Sequence, residues 1–175
     1  YAPANRIDQI VRSVSNNAGV YLVPALGGLA APYWNRKARA SIQGLSLDTS
    51  SAHLVRAAVE AMAFQTLDII EKLSEFPVEQ FKVDGGAASS NFLCQFLADI
   101  SGIRIQRPIE LERTALGTAY VAGLKVGIWE SLEEISNSWS AERIFEPNIK
   151  DSEREKLVNG WKDAVTKTLI GSGKK

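Results

Sequence analysis

Val83-Asp84-Gly85-Gly86-Ala87-Ala88-Ser89-Ser90-Asn91 is the stretch on which the fold of this chain turns. Phe81 and Val83 make an apolar, β-prone run that feeds two glycines, and two serines and an amphipathic segment follow. Glycine has no Cβ, so backbone can approach a ligand closely there and can take positive φ. A helix that starts directly afterwards presents unpaired N–H groups and the positive end of its dipole. Strand, glycine pair and helix start in this order suit the phosphates or ribose of a nucleotide. The same order also makes an ordinary tight strand-to-helix turn, so the flanking sequence has to separate the two readings.

Downstream, residues 90–101 carry Phe92, Leu93, Phe96, Leu97 and Ile100 on one helical face, and Gly102 stops the helix. Ile103-Arg104-Ile105-Gln106 alternates as a half-buried strand that ends before Pro108. Residues 114–126 form a helix rich in small residues, Ala115, Gly117, Ala119, Ala122 and Gly123, which let a neighbouring backbone come close. Residues 131–135 suit a helical turn, and Phe145-Glu146-Pro147 reads as extended linker. A capping box, Ser152 to Glu155, opens a last helix that turns Leu157, Val158, Trp161, Val165 and Leu169 inward.

Upstream, Ser50 or Ser51 caps a long helix reaching about Ser74. Its stripe Val55, Val59, Met62, Thr66, Ile69 and Leu73 has helical spacing, and its alanine-rich first half predicts burial on more than one side. Glu60 then needs a partner, for which a neighbouring backbone segment is the expectation. Ahead of this helix come a short helix around Ile7, Ile10, Val11 and Val14, a strand at 20–23, a loop over 25–40, and a strand at 41–45. Helix, strand, helix, strand, helix across 51–126 is α/β order.

The 175 residues suit one domain or a large piece of one. Lys+Arg and Asp+Glu are equal at 20 each, which argues against nucleic acid or an anionic membrane as partner. No apolar run approaches the roughly 20 residues that span a bilayer. One cysteine and one histidine make a protein-built zinc site improbable. Cys94, between Leu93 and Phe96, reads as a buried structural thiol in a reducing, cytoplasmic setting.

Beyond these local readings, Gly27 to Asn35 resembles the GLGAPYWD segment of glycerol kinases. Ala40 to Leu45, followed after seven residues by His53-Leu54-Val55-Arg56-Ala57-Ala58-Val59-Glu60, is similar throughout to the second signature of the FGGY carbohydrate kinases. Ala63-Phe64-Gln65-Thr66, Val83 to Ala87 and Thr114 to Ala119 resemble that family's AYQT run, adenine-nucleotide loop and TALGAA helix. Trp129, Phe145-Glu146-Pro147 and Gly160-Trp161-Lys162 fall in the same order.

The resemblance covers about residues 17–165 and implies an actin-like ATPase, ribonuclease H-like lobe lacking its first strands. Residues 1–170 would be the C-terminal, nucleotide-binding lobe of a two-lobed kinase, with 171–175 a disordered tail. The implied reaction is ATP-dependent, magnesium-assisted phosphorylation of glycerol, with xylulose or ribulose kinases, or a non-catalytic nucleotide-binding module, as alternatives. ATP or ADP would contact Gly85, Gly86, Ala87 and Ser90. No catalytic or metal-binding residue of the family maps onto this chain, so the chain alone is expected to be inactive. Glycerol would be held only by the absent lobe, and a homo-oligomer is the expected assembly. Ser90 stands where the family has an Asn toward adenine, and helix N-cap is its other reading. Asp8-Gln9 matches the family's catalytic Asp-Gln in letters only, and His53 reads as a polar residue near a helix start. Tyr33 and Trp34 read as loop anchors. Gly171 to Lys174 ends like a phosphate-binding loop but lacks its first glycine and a following helix.

Overall fold

The computed structural model describes residues 4–73, 78–137 and 139–171. Two small sheets and six helices build it. Helix α1 (Ala4–Arg12) leads through Ala18 and Gly19, both at positive φ, into β1 (Tyr21–Val23). Strand β1 pairs antiparallel with β2 (Ser41–Gln43). Helix α2 (Ser51–Lys72) follows; Ser50 is its N-cap, and His53 Nδ1 accepts a 3.0 Å bond from the Ser50 amide. The expected end at Ser74 lies outside the described residues. Strand β3 (Gln80–Lys82), helix α3 (Asn91–Ser101) and β4 (Arg104–Pro108) form a parallel β-α-β unit. Gly102 ends α3 at φ +70°. Helices α4 (Arg113–Val126) and α5 (Leu132–Asn137) precede β5 (Ala141–Phe145) and α6 (Asp151–Gly171).

Helices α2, α3 and α6 meet at Phe64. Its ring stacks on Trp161 at 5.2 Å between centroids and meets Phe96 edge-on at 5.3 Å. Such pairs add about 0.5–1.5 kcal/mol each beyond the area they bury. Ile105 of β4 and Phe145 of β5 close the core from the sheet side. A Cβ on Gly160 of α6 would collide with the Tyr21 phenol, so glycine lets α6 lie directly on β1.

Four expectations need correction. Strand β5, which runs into the first residue of the expected linker, Phe145, lies antiparallel to β4 with a register shift at Arg107/Pro108. Its Glu142-Arg143 pair hides the alternation that marks a strand, a common trait of sheet edges. Strand β4 runs through Pro108 rather than stopping before it; with no N–H to donate, proline sits at its end. Helix α6 begins at Asp151, so Ser152 lies inside the first turn and forms no capping box. In α2, Met62 and Ile69 are exposed, as is Leu73 at its C-cap, whereas Ala57, Ala61, Ala63, Leu67 and Ile70 are buried. The alanine face, not the larger side chains, allows the closer approach of neighbouring helices. The tail 172–175 lies outside the described residues, and Gly171 is helical.

The candidate nucleotide site

The loop between β3 and α3 contains a four-residue 3-10 turn, Gly86–Ser89, which the sequence does not announce. Gly85 takes φ +80°, a conformation that side chains disfavour, and its amide donates to the Leu111 carbonyl at 3.0 Å. Gly86 and Ala87 are exposed. A Cβ placed on Gly86 would meet no heavy atom within 4 Å. Glycine at 86 is therefore required neither by backbone conformation nor by internal packing, and the space above it is open to a ligand. Ala88 is buried and turns its methyl into the core.

Ser90, like Ala88, is buried. Its Oγ donates to Asp8 Oδ1 and accepts from the Leu93 amide at 3.0 Å. Asp8 Oδ2 accepts from the Phe92 amide at 3.1 Å. The first amides of α3 are thus taken by Ser90 and by a carboxylate from α1. This overturns the expectation of an unpaired helix N-terminus, and it gives Asp8 a capping role. An acid at this helix end is favoured by the dipole. The structure brings Gly85, Gly86 and Ala87 together as a surface and commits the Ser90 side chain to the cap.

Replacing Ser90 by Ala is expected to lower stability by about 1–2 kcal/mol, the range of a lost N-cap. The midpoint of urea unfolding reads this directly, and an unmoved midpoint would show that Asp8 caps α3 alone.

Two groups support the loop from below. Arg107 on β4 reaches the Ala88 and Ser89 carbonyls at 3.0 and 3.4 Å. Cys94 Sγ donates to the Ala88 carbonyl at 3.2 Å. Burial, partly offset by the Arg107 charge, pushes the Cys94 thiol up to about 11, so it stays protonated as a donor. Sequence reasoning missed Arg107, because nothing in a lone Arg before Pro marks it as buried. A cavity of about 320 Å³ runs beneath the loop, between Met62 and Thr66 of α2 and Phe81, Asp84 and Ala87.

The remaining candidates are structural. Glu60 is buried and accepts from Arg56 Nε at 2.7 Å and from Asn17 Nδ2 at 3.0 Å. Its partners are side chains, not the expected backbone segment. Tyr33 hydrogen-bonds Asp68 and so anchors its loop, whereas the Trp34 side chain is exposed. Among the described residues no three His, Cys, Asp or Glu side chains converge on one point. Among the same residues no helix is long and apolar enough to cross a membrane.

This architecture recurs in known proteins. The FGGY family of carbohydrate kinases, C-terminal domain, matches residues 5–126. The chain belongs to that family. Glycerol kinase 2 of Thermotoga maritima is 47% identical over 169 residues, which are 95% of this chain and 34% of that protein. The crystal structure of Plasmodium falciparum glycerol kinase with ADP superposes with a TM-score of 0.82 at 35% identity, covering 94% of this chain and 34% of that one. Ligand-bound xylulose kinase from Lactobacillus acidophilus gives 0.83 at 23% identity, over 97% and 35% of the two chains, a likeness of fold alone. The FGGY domain thus has the actin-like ATPase fold of these sugar kinases, and it spans about a third of the length of the relatives it matches.

Proposed function

We propose that this FGGY domain is the C-terminal, nucleotide-binding lobe of a longer ATP-dependent glycerol kinase. In that enzyme the γ-phosphoryl group passes from ATP to a glycerol hydroxyl, giving glycerol 3-phosphate and ADP. ATP supplies the phosphoryl group; this chain supplies one wall of its site, through the loop of Gly85, Gly86 and Ala87, of which Gly86 and Ala87 are exposed. The observation that carries the reading is the open space above Gly86, in a chain 47% identical to a glycerol kinase along nearly its whole length. No residue of this chain is assigned the proton transfer, the glycerol contacts or a magnesium ion; these belong to the other lobe and to the start of this one. Catalysis of this class is positioning and electrostatic stabilisation, which needs both walls of a cleft. A cytoplasmic setting fits the single, buried, protonated cysteine. The exposed apolar side chains Met62, Ile69 and Leu73 support self-association.

The test is a coupled assay of glycerol 3-phosphate formation from ATP. The isolated 175-residue chain is expected to show no turnover, and the longer protein carrying it is expected to turn over glycerol in preference to xylulose or ribulose. Turnover by the isolated chain would overturn the lobe assignment. Preference for a pentulose would overturn the substrate.

A further inference from the structure

We propose that Arg107, held by Glu142, is the positioning residue of the nucleotide loop. The proposal rests on the reading of that loop as a wall of the ATP site. Arg107 comes from β4 and is only 7% exposed. Its Nη1 donates to the Ala88 carbonyl at 3.0 Å and reaches the Ser89 carbonyl at 3.4 Å. Its Nε and Nη2 approach one oxygen of Glu142, on β5, at 2.9 and 2.8 Å. The guanidinium lies 5.3 Å from the centre of the Phe145 ring.

A buried cation is costly, and the Glu142 side chain that balances it is itself 46% exposed. An apolar side chain would fill the space beside Phe145 without that cost. What the guanidinium adds is a planar set of donors aimed at two successive carbonyls of the 3-10 turn. Bonds from a charged donor are roughly twice as strong as neutral ones. Without them, Ala88 O keeps the Cys94 thiol, a weak donor. Among the described residues no heavy atom comes within 4 Å of a Cβ placed on Gly86. The place of Gly85–Ala87 is therefore set from its two sides, by the Leu111 carbonyl that holds Gly85 and by the Arg107 donors that hold Ala88 and Ser89. Asp8 fixes the far end of the same segment through Ser90 and Phe92. The loop is thus held at Gly85 by the Leu111 carbonyl, at Ala88 and Ser89 by Arg107 and at Ser90 and Phe92 by Asp8, and the outer face of Gly86 stays open to a ligand.

The test uses the longer kinase. Arg107→Met keeps side-chain length and the contact with Phe145 but removes every donor. It is expected to raise KM for ATP by about tenfold or more, while kcat at saturating ATP and KM for the acceptor stay within about threefold, because only the nucleotide wall is loosened. Arg107→Lys keeps the charge without the fork and is expected to give a partial rescue, with KM for ATP raised about threefold. Amide exchange at Ala88 and Ser90 is expected to quicken about tenfold in Arg107→Met while α6 is unchanged. An Arg107→Met enzyme that folds and keeps KM for ATP within twofold of wild type overturns the proposal. So does an equal rise in both KM values, the mark of general damage. If Arg107→Met does not fold, Arg107→Lys decides by the same twofold criterion. A wild-type enzyme that transfers nothing from ATP overturns the nucleotide reading instead, and amide exchange then still decides whether Arg107 holds the loop.

Discussion

Gly86→Asp in the longer kinase is expected to weaken ATP binding by about one to two orders of magnitude. A unit-charge pair at about 4 Å is worth about 4 kcal/mol at an effective dielectric near 20, and partial solvation reduces that. The added side chain also occupies the space in which the nucleotide would lie against the backbone. The structure makes this substitution informative, because a Cβ at 86 meets no heavy atom within 4 Å. The variant should therefore fold and melt like wild type, so lost affinity reports on the ligand side alone. Gly86→Ala, with bulk but no charge, should fall between the two. Calorimetric titration with ATP measures all three. A folded Gly86→Asp protein that binds ATP as wild type does would reduce the loop to a turn.

The second large effect concerns stability. Glu60→Ala is expected to destabilise the protein by about 3–5 kcal/mol, the cost of removing one partner of a buried ion pair. Arg56, whose side chain is 14% exposed, would lose its carboxylate and keep the Val14 carbonyl at 2.7 Å. Asn17 would lose its acceptor. Glu60→Gln does not restore the site, because both oxygens accept from donors, and an NH₂ group must then face one of them.

The pH dependence has a definite sign. Burial raises the Glu60 carboxyl above its ordinary value, and the bonds from Arg56 and Asn17 only partly oppose this. The folded state then holds this proton more tightly than the unfolded chain does. Stability from this group is full below the unfolded value of about 4.3 and is lost as pH rises through the raised folded value. Asp68, also raised by burial, adds a slope of the same sign. Urea unfolding from pH 4 upward should show stability falling with pH in the wild type and falling less steeply in Glu60→Ala. An identical slope in both would show that Glu60 is not the titrating group.

The elements were legible where periodicity was strong. Phe92 to Ile100 announces α3, Ser50 announces the start of α2, and Gly102 closes α3 at positive φ. The glycine pair announced the loop. Strand β5 was not legible, because charged edge residues erase a period-2 pattern. The 3-10 turn was not legible either, because Gly86 to Ser89 fits a helix start equally well in sequence.

Local sequence by itself determined the α/β order, the strand–loop–helix frame and the family, because capping, periodicity and spaced signatures act over a few residues. Only the tertiary structure decided what each polar group does. Asp8 reaches the start of α3, Glu60 reaches Asn17, Asp68 meets Trp161 and Tyr33, and Arg107 lies under a turn in a preceding segment. A buried polar atom must find a partner wherever packing brings one. In these pairs the partner stands 19 or more residues away along the chain, at a distance no local pattern encodes.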